Sequence, residues 1–222
     1  MTGAADEPPV TRLVLARHGE TAWSKAGRHT GRTDVPLTGA GREQARRLGG
    51  ALAGRTFSRV VSSPLARATE TARIAGYGGR MELDPELQEW DYGAYEGRRR
   101  IDIARDDPAW SIWGRPIPGG ESLDALGARA DRVIARLLPT GGDVLVFAHG
   151  HVLRVLAARW IEAPPLLASR LELATATLSE LGWEADRRVI ELWNSAGHLA
   201  DPSPQSTPGG VSAPAARTSG SG

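Results

Sequence analysis

The chain has 222 residues, 41% of them hydrophobic and 24% charged, which is enough to bury one substantial core and short for two ordinary domains. Its 27 basic and 26 acidic residues leave a formal charge of +1, so no field across the molecule favours a polyanion and nucleic acid is excluded as an expected partner. The absence of cysteine removes disulfides, thiolate chemistry and sulfur-ligated zinc, and a reducing cytoplasm suffices as the setting.

Residues 1–9 carry no basic start followed by an apolar core, and no apolar run approaches the ~18 residues of a membrane span. They read as a flexible N-terminus to one domain over residues 10–200. "RLVLA" (12–16), "SRVVSS" (58–63) and "DVLVFA" (143–148) are short Val- and Leu-rich runs between polar or glycine residues, the pattern of strands buried on both faces. "TGAGREQARRLGGALAG" (38–54) offers Thr38 as a cap and places Ala45, Leu48 and Leu52 on one helical face. "PLARATETARIA" (64–75) and "HVLRVLAARWI" (151–161) each begin a helix just after a strand. "ESLDALGARADRVIARLLP" (121–139) aligns Leu123, Leu126, Ala130, Val133, Ile134 and Leu137. "ATLSELGWE" (176–184) and "RVIELWN" (188–194) read as a closing hairpin. The alternation predicts an α/β three-layer sandwich, a largely parallel central sheet flanked by helices with C-terminal hairpin strands. Residues 201–222, rich in Pro, Gly, Ser and Thr, read as a disordered tail, a segment that folds on a partner being the other reading.

In open parallel sheets ligands bind beyond the carboxyl ends of the strands. His18 follows the first strand, Arg67 lies at the start of the helix after "VVSSP", and His149 follows "DVLVFA", so the topology brings the three to one edge. A neutral imidazole is a nucleophile, and guanidinium groups hold a tetrahedral oxyanion by paired hydrogen bonds while offsetting its charge. Phosphate is the natural guest. His149 and His151, spaced as His-x-His, have an alternative reading as metal ligands, but a well-placed third ligand is lacking, and neither metal nor cofactor is expected.

"LARHGETAW" (15–23), "TGRTDVPLT" (30–38), "SSPLARATETA" (62–72), "EWDYGAYEG" (89–97) and "FAHGHVLR" (147–154) together resemble, in order, the motifs of the histidine phosphatase superfamily, the phosphoglycerate mutase-like proteins. The narrower resemblance is to acid phosphatases and sedoheptulose bisphosphatase-like sugar phosphatases. It implies a metal-independent phosphomonoesterase acting on small phosphorylated metabolites through a phosphohistidine. A phosphoglycerate mutase-type phosphotransferase is the alternative, and a non-catalytic phosphate-binding protein the distant one. By the same resemblance His18 is the nucleophile, Arg17, Arg67 and His149 form the phosphate pocket, and Glu89 is the proton donor, with Asp91 and Glu96 its competitors in one loop. Ser24 stands where many members carry an asparagine that donates to phosphate. Thr30 and Gly31 match a small-residue step against the phosphate, and Tyr92 and Gly150 complete the substrate-binding set.

Several residues keep two readings. His29 either lines the pocket mouth or is exposed, and His151 on its own reads as a helix-start or supporting residue. His198 reads as solvated. Arg98, Arg99 and Arg100 are either a solvated face or a site for a second phosphate, and Trp110 and Trp113 either pack the core or wall an entrance. The expected partner is a small phosphorylated metabolite, with neither nucleic acid nor membrane; a homodimer is compatible with the sequence.

Overall fold

The apolar runs of the sequence become the inner strands of one six-stranded sheet in the computed structural model, which describes residues 10–200. The strands are β1 (Arg12–Arg17), β2 (Arg59–Ser62), β3 (Met81–Leu83), β4 (Asp143–Ala148), β5 (Leu178–Glu184) and β6 (Arg187–Ser195), in spatial order β3-β2-β4-β1-β5-β6. β4 pairs in parallel with both β1 and β2, and β2 in parallel with β3, whereas β5 runs antiparallel to β1 and β6 antiparallel to β5. The largely parallel sheet with a closing hairpin is therefore present. The expected flexible N-terminus over 1–9 and the tail over 201–222 lie outside the described residues.

Alternation along the central strands makes the three layers, because successive side chains of a strand point to opposite faces. Leu13, Leu15, Val144 and Val146 face the helices α5 (Leu123–Leu137) and α6 (Gly150–Trp160). Val14, Ala16, Leu145 and Phe147 face the other side, with Leu48 and Leu52 from α2 (Gly39–Ala51) and its C-cap and Ala72 from α3 (Ala66–Ile74). The cap that the sequence offers is used, Thr38 accepting from Gly41 N at 3.0 Å, and Ser122 caps α5 by accepting from Ala125 N at 3.1 Å. Two short helices, α1 (Ala22–Lys25) and α4 (Arg100–Asp106), complete the set on the strand-end side. No helix among the described residues is long and apolar enough to cross a membrane.

The turn after β1 is packed backbone to backbone against the start of α2. A Cβ on Gly41 would lie 2.1 Å from Glu20 O and 2.8 Å from Glu20 N, and one on Gly19 would lie 2.4 Å from Gly41 O. Only glycines permit this approach, and it holds the residues flanking His18. Gly41→Ala should therefore cost roughly 1–3 kcal/mol through overpacking. Gly39→Ala, where a Cβ meets nothing within 4 Å, should be neutral or stabilising by up to about 1 kcal/mol. Urea unfolding of the two variants checks this, and equal midpoints would show that the glycine contact does not constrain the turn.

Candidate active site

β1 and β4 end side by side, Arg17 opposite Ala148, and their next residues are His18 and His149. The His18 backbone N–H donates to Ala148 O at 3.0 Å, and its Nδ1 lies 2.7 Å from Gly19 O. A carbonyl only accepts, so Nδ1 carries the proton and Nε2 carries the lone pair. Burial first, then the charges of Arg17 and Arg67, push the His18 imidazole well below its ordinary pKa. The ring is therefore neutral at pH 7, with one nucleophilic nitrogen.

His149 caps α6 without a side-chain bond to that helix and is fully buried, its ring centroid 5.1 Å from that of His18. Its Nδ1 accepts from Arg67 Nε at 3.0 Å, which leaves the ring proton on Nε2, 2.7 Å from Ser63 Oγ. Burial, Arg67 and His18 hold it well below the ordinary imidazole range. Arg67, also fully buried, donates from Nη1 to Thr33 O at 2.9 Å and from Nη2 to Thr30 O at 3.1 Å and Gly31 O at 2.8 Å. The pair thus packs directly behind His18, the His149 ring 5.1 Å from the His18 ring.

The cavity itself has a volume of about 100 Å³ and is walled by Arg17, His18, Glu89, Tyr92 and Gly150, together with Ser24, Arg28, His29, Thr30, His151, Arg154 and Leu173. Three arginines against one carboxylate give its wall a formal excess of two positive charges (3 − 1), the complement of a phosphate dianion. Arg17 donates from Nη1 to Leu173 O, while its buried Nε has no partner; burial lowers its pKa from the usual guanidinium value. An orphaned buried donor of this kind is an expensive group to leave unpaired, and an anion in the cavity satisfies it. Gly150 allows the approach, since a Cβ there would stand 3.3 Å from the Arg17 guanidinium carbon.

Glu89 is only 6% exposed, and it is the acid of the three in its loop that reaches the cavity. Its Oε1 accepts from Trp90 N and Val152 N, both at 2.9 Å, and its Oε2 from His151 N at 3.0 Å. These last two donors are orphan N–H groups of the first turn of α6, so the carboxylate sits on the positive end of that helix. Asp91 instead pairs with Arg32 at 2.9 Å and accepts from Gly93 N. Glu96 accepts from Gly31 N and Thr33 N. The loop carrying Glu89 is held by Arg129, which pairs with Glu121 at 2.8 Å and donates to Gln88 O at 2.6 Å.

The substrate-binding expectations divide. Tyr92 lines the cavity, and burial pushes its phenol well above the usual range, so it keeps its proton; its hydroxyl lies 2.6 Å from His151 Nδ1. Ser24 lines the cavity, but its hydroxyl donates to Thr21 O at 3.0 Å and accepts from Thr21 N at 2.9 Å in a capping box; in this state its one hydrogen is not offered to a ligand. Thr30 also lines the cavity, with its hydroxyl on Arg28 O at 3.2 Å. The expected backbone step at Gly31 differs: its N–H is taken by Glu96, and a Cβ would lie 2.7 Å from Trp90 O. Gly31 therefore serves the close packing of two loops and the anchoring of Arg67.

His29 and His151, left open by the sequence, both belong to the wall, and burial lowers both below the ordinary imidazole value. Trp110 packs edge-on to His29 at 5.5 Å, and Trp113 lies 5.1 Å from the His151 ring with Arg154 over its face at 4.7 Å. The tryptophans thus back the wall. Arg98 and Arg99 pair with Asp106 and Asp102 on the surface, and Arg100 is exposed, the solvated-face reading. His198 departs from expectation: it is half-buried and its Nε2 lies 2.8 Å from Ala176 O. Arg28, Arg154 and Leu173 were not anticipated, since 27 basic residues, all but Lys25 arginine, hide any single arginine. Among the described residues, no group of three or more His, Cys, Asp or Glu is placed to hold a metal ion.

The family described as the histidine phosphatase superfamily (branch 1) matches residues 13–196. An acid phosphatase of Mycobacterium tuberculosis is 41% identical over 192 residues, covering 84% of this chain and 94% of that protein. Sedoheptulose 1,7-bisphosphatase of Saccharomyces cerevisiae is 34% identical over 181 residues, 67% of each chain, and a probable phosphoglycerate mutase of Enterobacter sp. is 31% identical over 207 residues, 86% of this chain and 96% of that one. Among solved structures, mycobacterial glucosyl-3-phosphoglycerate phosphatase in complex with VO3 superposes with a TM-score of 0.75 at 30% identity, covering 83% of this chain and 99% of the other. The resemblance carried by the five motifs holds over residues 13–196, and the chain belongs to the histidine phosphatase superfamily.

Proposed function

We propose that this protein is a phosphomonoesterase that hydrolyses small phosphorylated metabolites through a phosphohistidine at His18, with no metal in the reaction. The observation that carries the reading is the tautomer of His18: with Nδ1 committed to Gly19 O, the free lone pair is on Nε2, inside a cavity of net positive charge. Nε2 attacks phosphorus, and the P–O bond to the leaving oxygen breaks as Glu89, protonated, supplies its proton. The resulting alcohol departs, and water then attacks the phosphohistidine while the Glu89 carboxylate takes the water's proton. Phosphate leaves with Nε2 restored. Arg17 offers its orphaned Nε to the phosphoryl oxygens, which supplies charge stabilisation in a largely buried site. Arg67 and the neutral His149 contribute by holding His18 and the 30–33 backbone in place.

The transfer alternative, supported by the mutase relative, uses the same phosphoenzyme and differs in whether water reaches it. Release of inorganic phosphate from several phosphomonoesters should far exceed interconversion of 2- and 3-phosphoglycerate, even with 2,3-bisphosphoglycerate supplied. Mutase turnover equal to or above phosphate release would promote the alternative. Activity should also withstand exhaustive EDTA treatment.

Glu89→Gln should lower kcat by about 10²- to 10⁴-fold for an alkyl or sugar phosphate, and much less for 4-nitrophenyl phosphate, whose leaving group needs little protonation. Equal losses for both esters, or a larger loss from Asp91→Asn, would place the acid elsewhere.

The lowered pKa of His18 carries a sign for pH dependence. Because burial and two arginines disfavour the imidazolium, the neutral ring persists below the ordinary value of about 6.5, and acid does not disarm the nucleophile in that range. Nitrogen-15 NMR of the free enzyme should place the His18 midpoint well below the ordinary imidazole value, and a midpoint near the ordinary value would contradict this.

A further inference from the structure

The nucleophile is gripped from a part of the chain that the reaction does not use. The segment 172–177 touches Arg17 and His18 along its length: Arg17 N donates to Thr177 O at 3.3 Å, Ala176 N donates to both Arg17 O and His18 O at 3.1 Å, and Leu173 O accepts from the Arg17 guanidinium. Ala176 is fully buried and adopts φ = 55°, a left-handed conformation that a Cβ disfavours and that a non-glycine residue keeps only when its surroundings impose it. Three side chains from one stretch hold the segment, one of them at Ala176 itself. Trp193 Nε1 donates to Glu172 O at 2.6 Å, Asn194 Oδ1 accepts from Ala174 N at 2.8 Å, and His198 Nε2 donates to Ala176 O at 2.8 Å.

We propose that residues 193–198 form a clamp on the nucleophile, with His198 as a positioning residue that holds Ala176 in its left-handed conformation and so sets the peptides on either side of His18. His198 acts through Ala176 and touches no reacting atom. Without that bond the Ala176 carbonyl turns and the backbone about its Cα relaxes, the Ala176 N–H on the preceding peptide leaves the Arg17 and His18 carbonyls, and the Gly19 carbonyl that orients the His18 ring loses its register. Glycine occupies the left-handed region without a steric penalty, so glycine at 176 makes the clamp dispensable.

The catalytic part of the proposal rests on His18 being the nucleophile, so the test has one readout of activity and one of geometry. In the full-length enzyme, His198→Ala should lower kcat for 4-nitrophenyl phosphate by about tenfold, the scale of a sub-ångström misplacement, and shift the His18 Nδ1 resonance of the free enzyme. His198→Gln, which retains an N–H donor, should restore much of both. In an Ala176→Gly background, the same His198→Ala change should lower kcat by less than about threefold and leave the resonance near its parental position. Equal losses in the two backgrounds, or an unmoved His18 resonance in His198→Ala, would overturn the clamp. If His198→Ala does not fold, His198→Phe, which fills the space without a donor, is compared in the same two backgrounds with the same criteria. Failure of hydrolysis in the unaltered enzyme would instead refute the proposed function, while the resonance still judges the clamp.

Discussion

A single hydrogen bond, from His18 Nδ1 to the carbonyl of Gly19 at 2.7 Å, organises the chemistry of this site. It selects the tautomer, aims the ring and leaves the lone pair of His18 on Nε2. Everything around it keeps the Gly19 peptide where the ring needs it. Gly19 N donates to Thr71 Oγ1 at 3.0 Å, and Thr71 in turn donates to Arg67 O at 2.7 Å, so the turn after β1 and the helix bearing Arg67 are one unit. The backbone contact with Gly41 closes the turn from the other side.

Burial gives this bond its force. In water an imidazole beside two arginines would still be protonated part of the time; in a dry wall the charged form is penalised by desolvation and by the guanidinium charges together. The same burial makes unbound arginines costly, and the fold commits some of their donors to backbone carbonyls: three bonds from Arg67 to the 30–33 loop and one from Arg154 Nε to Ala168 O. Arg17 Nε, buried without a partner, is among the donors left for an anion. A phosphate that enters finds the charge already in place, so little reorganisation is needed when charge redistributes toward the transition state.

Much of this was legible in the residues. The β1, β2 and β4 runs declare themselves by continuous apolarity, and α2 and α5 by caps and period. β3 was not legible, because "MEL" is three residues on a sheet edge and mostly exposed, so neither alternation nor an apolar run marks it. The place of His18 and Glu89 in the cavity wall was legible because topology puts His18 at a strand end and the motif singles out Glu89. The spending of donors was not. Gly31 gives its N–H to a glutamate 65 positions away, and Ser24 gives its hydroxyl to a cap of its own helix. Such pairings depend on partners that only the folded chain supplies. The grip on Ala176 belongs to the same class: an alanine in a left-handed turn leaves no trace in a sequence, where glycine would have.

The central claim is that His18 attacks through Nε2 because Nδ1 is held by Gly19. Turnover with a phosphate ester, quenched in alkali to preserve the acid-labile P–N bond, followed by phosphorus NMR and fragmentation of the isolated peptide, reads both the residue and the nitrogen. The account predicts phosphate on His18 at Nε2, absent in His18→Ala; phosphate on Nδ1, or on any other residue, would contradict it.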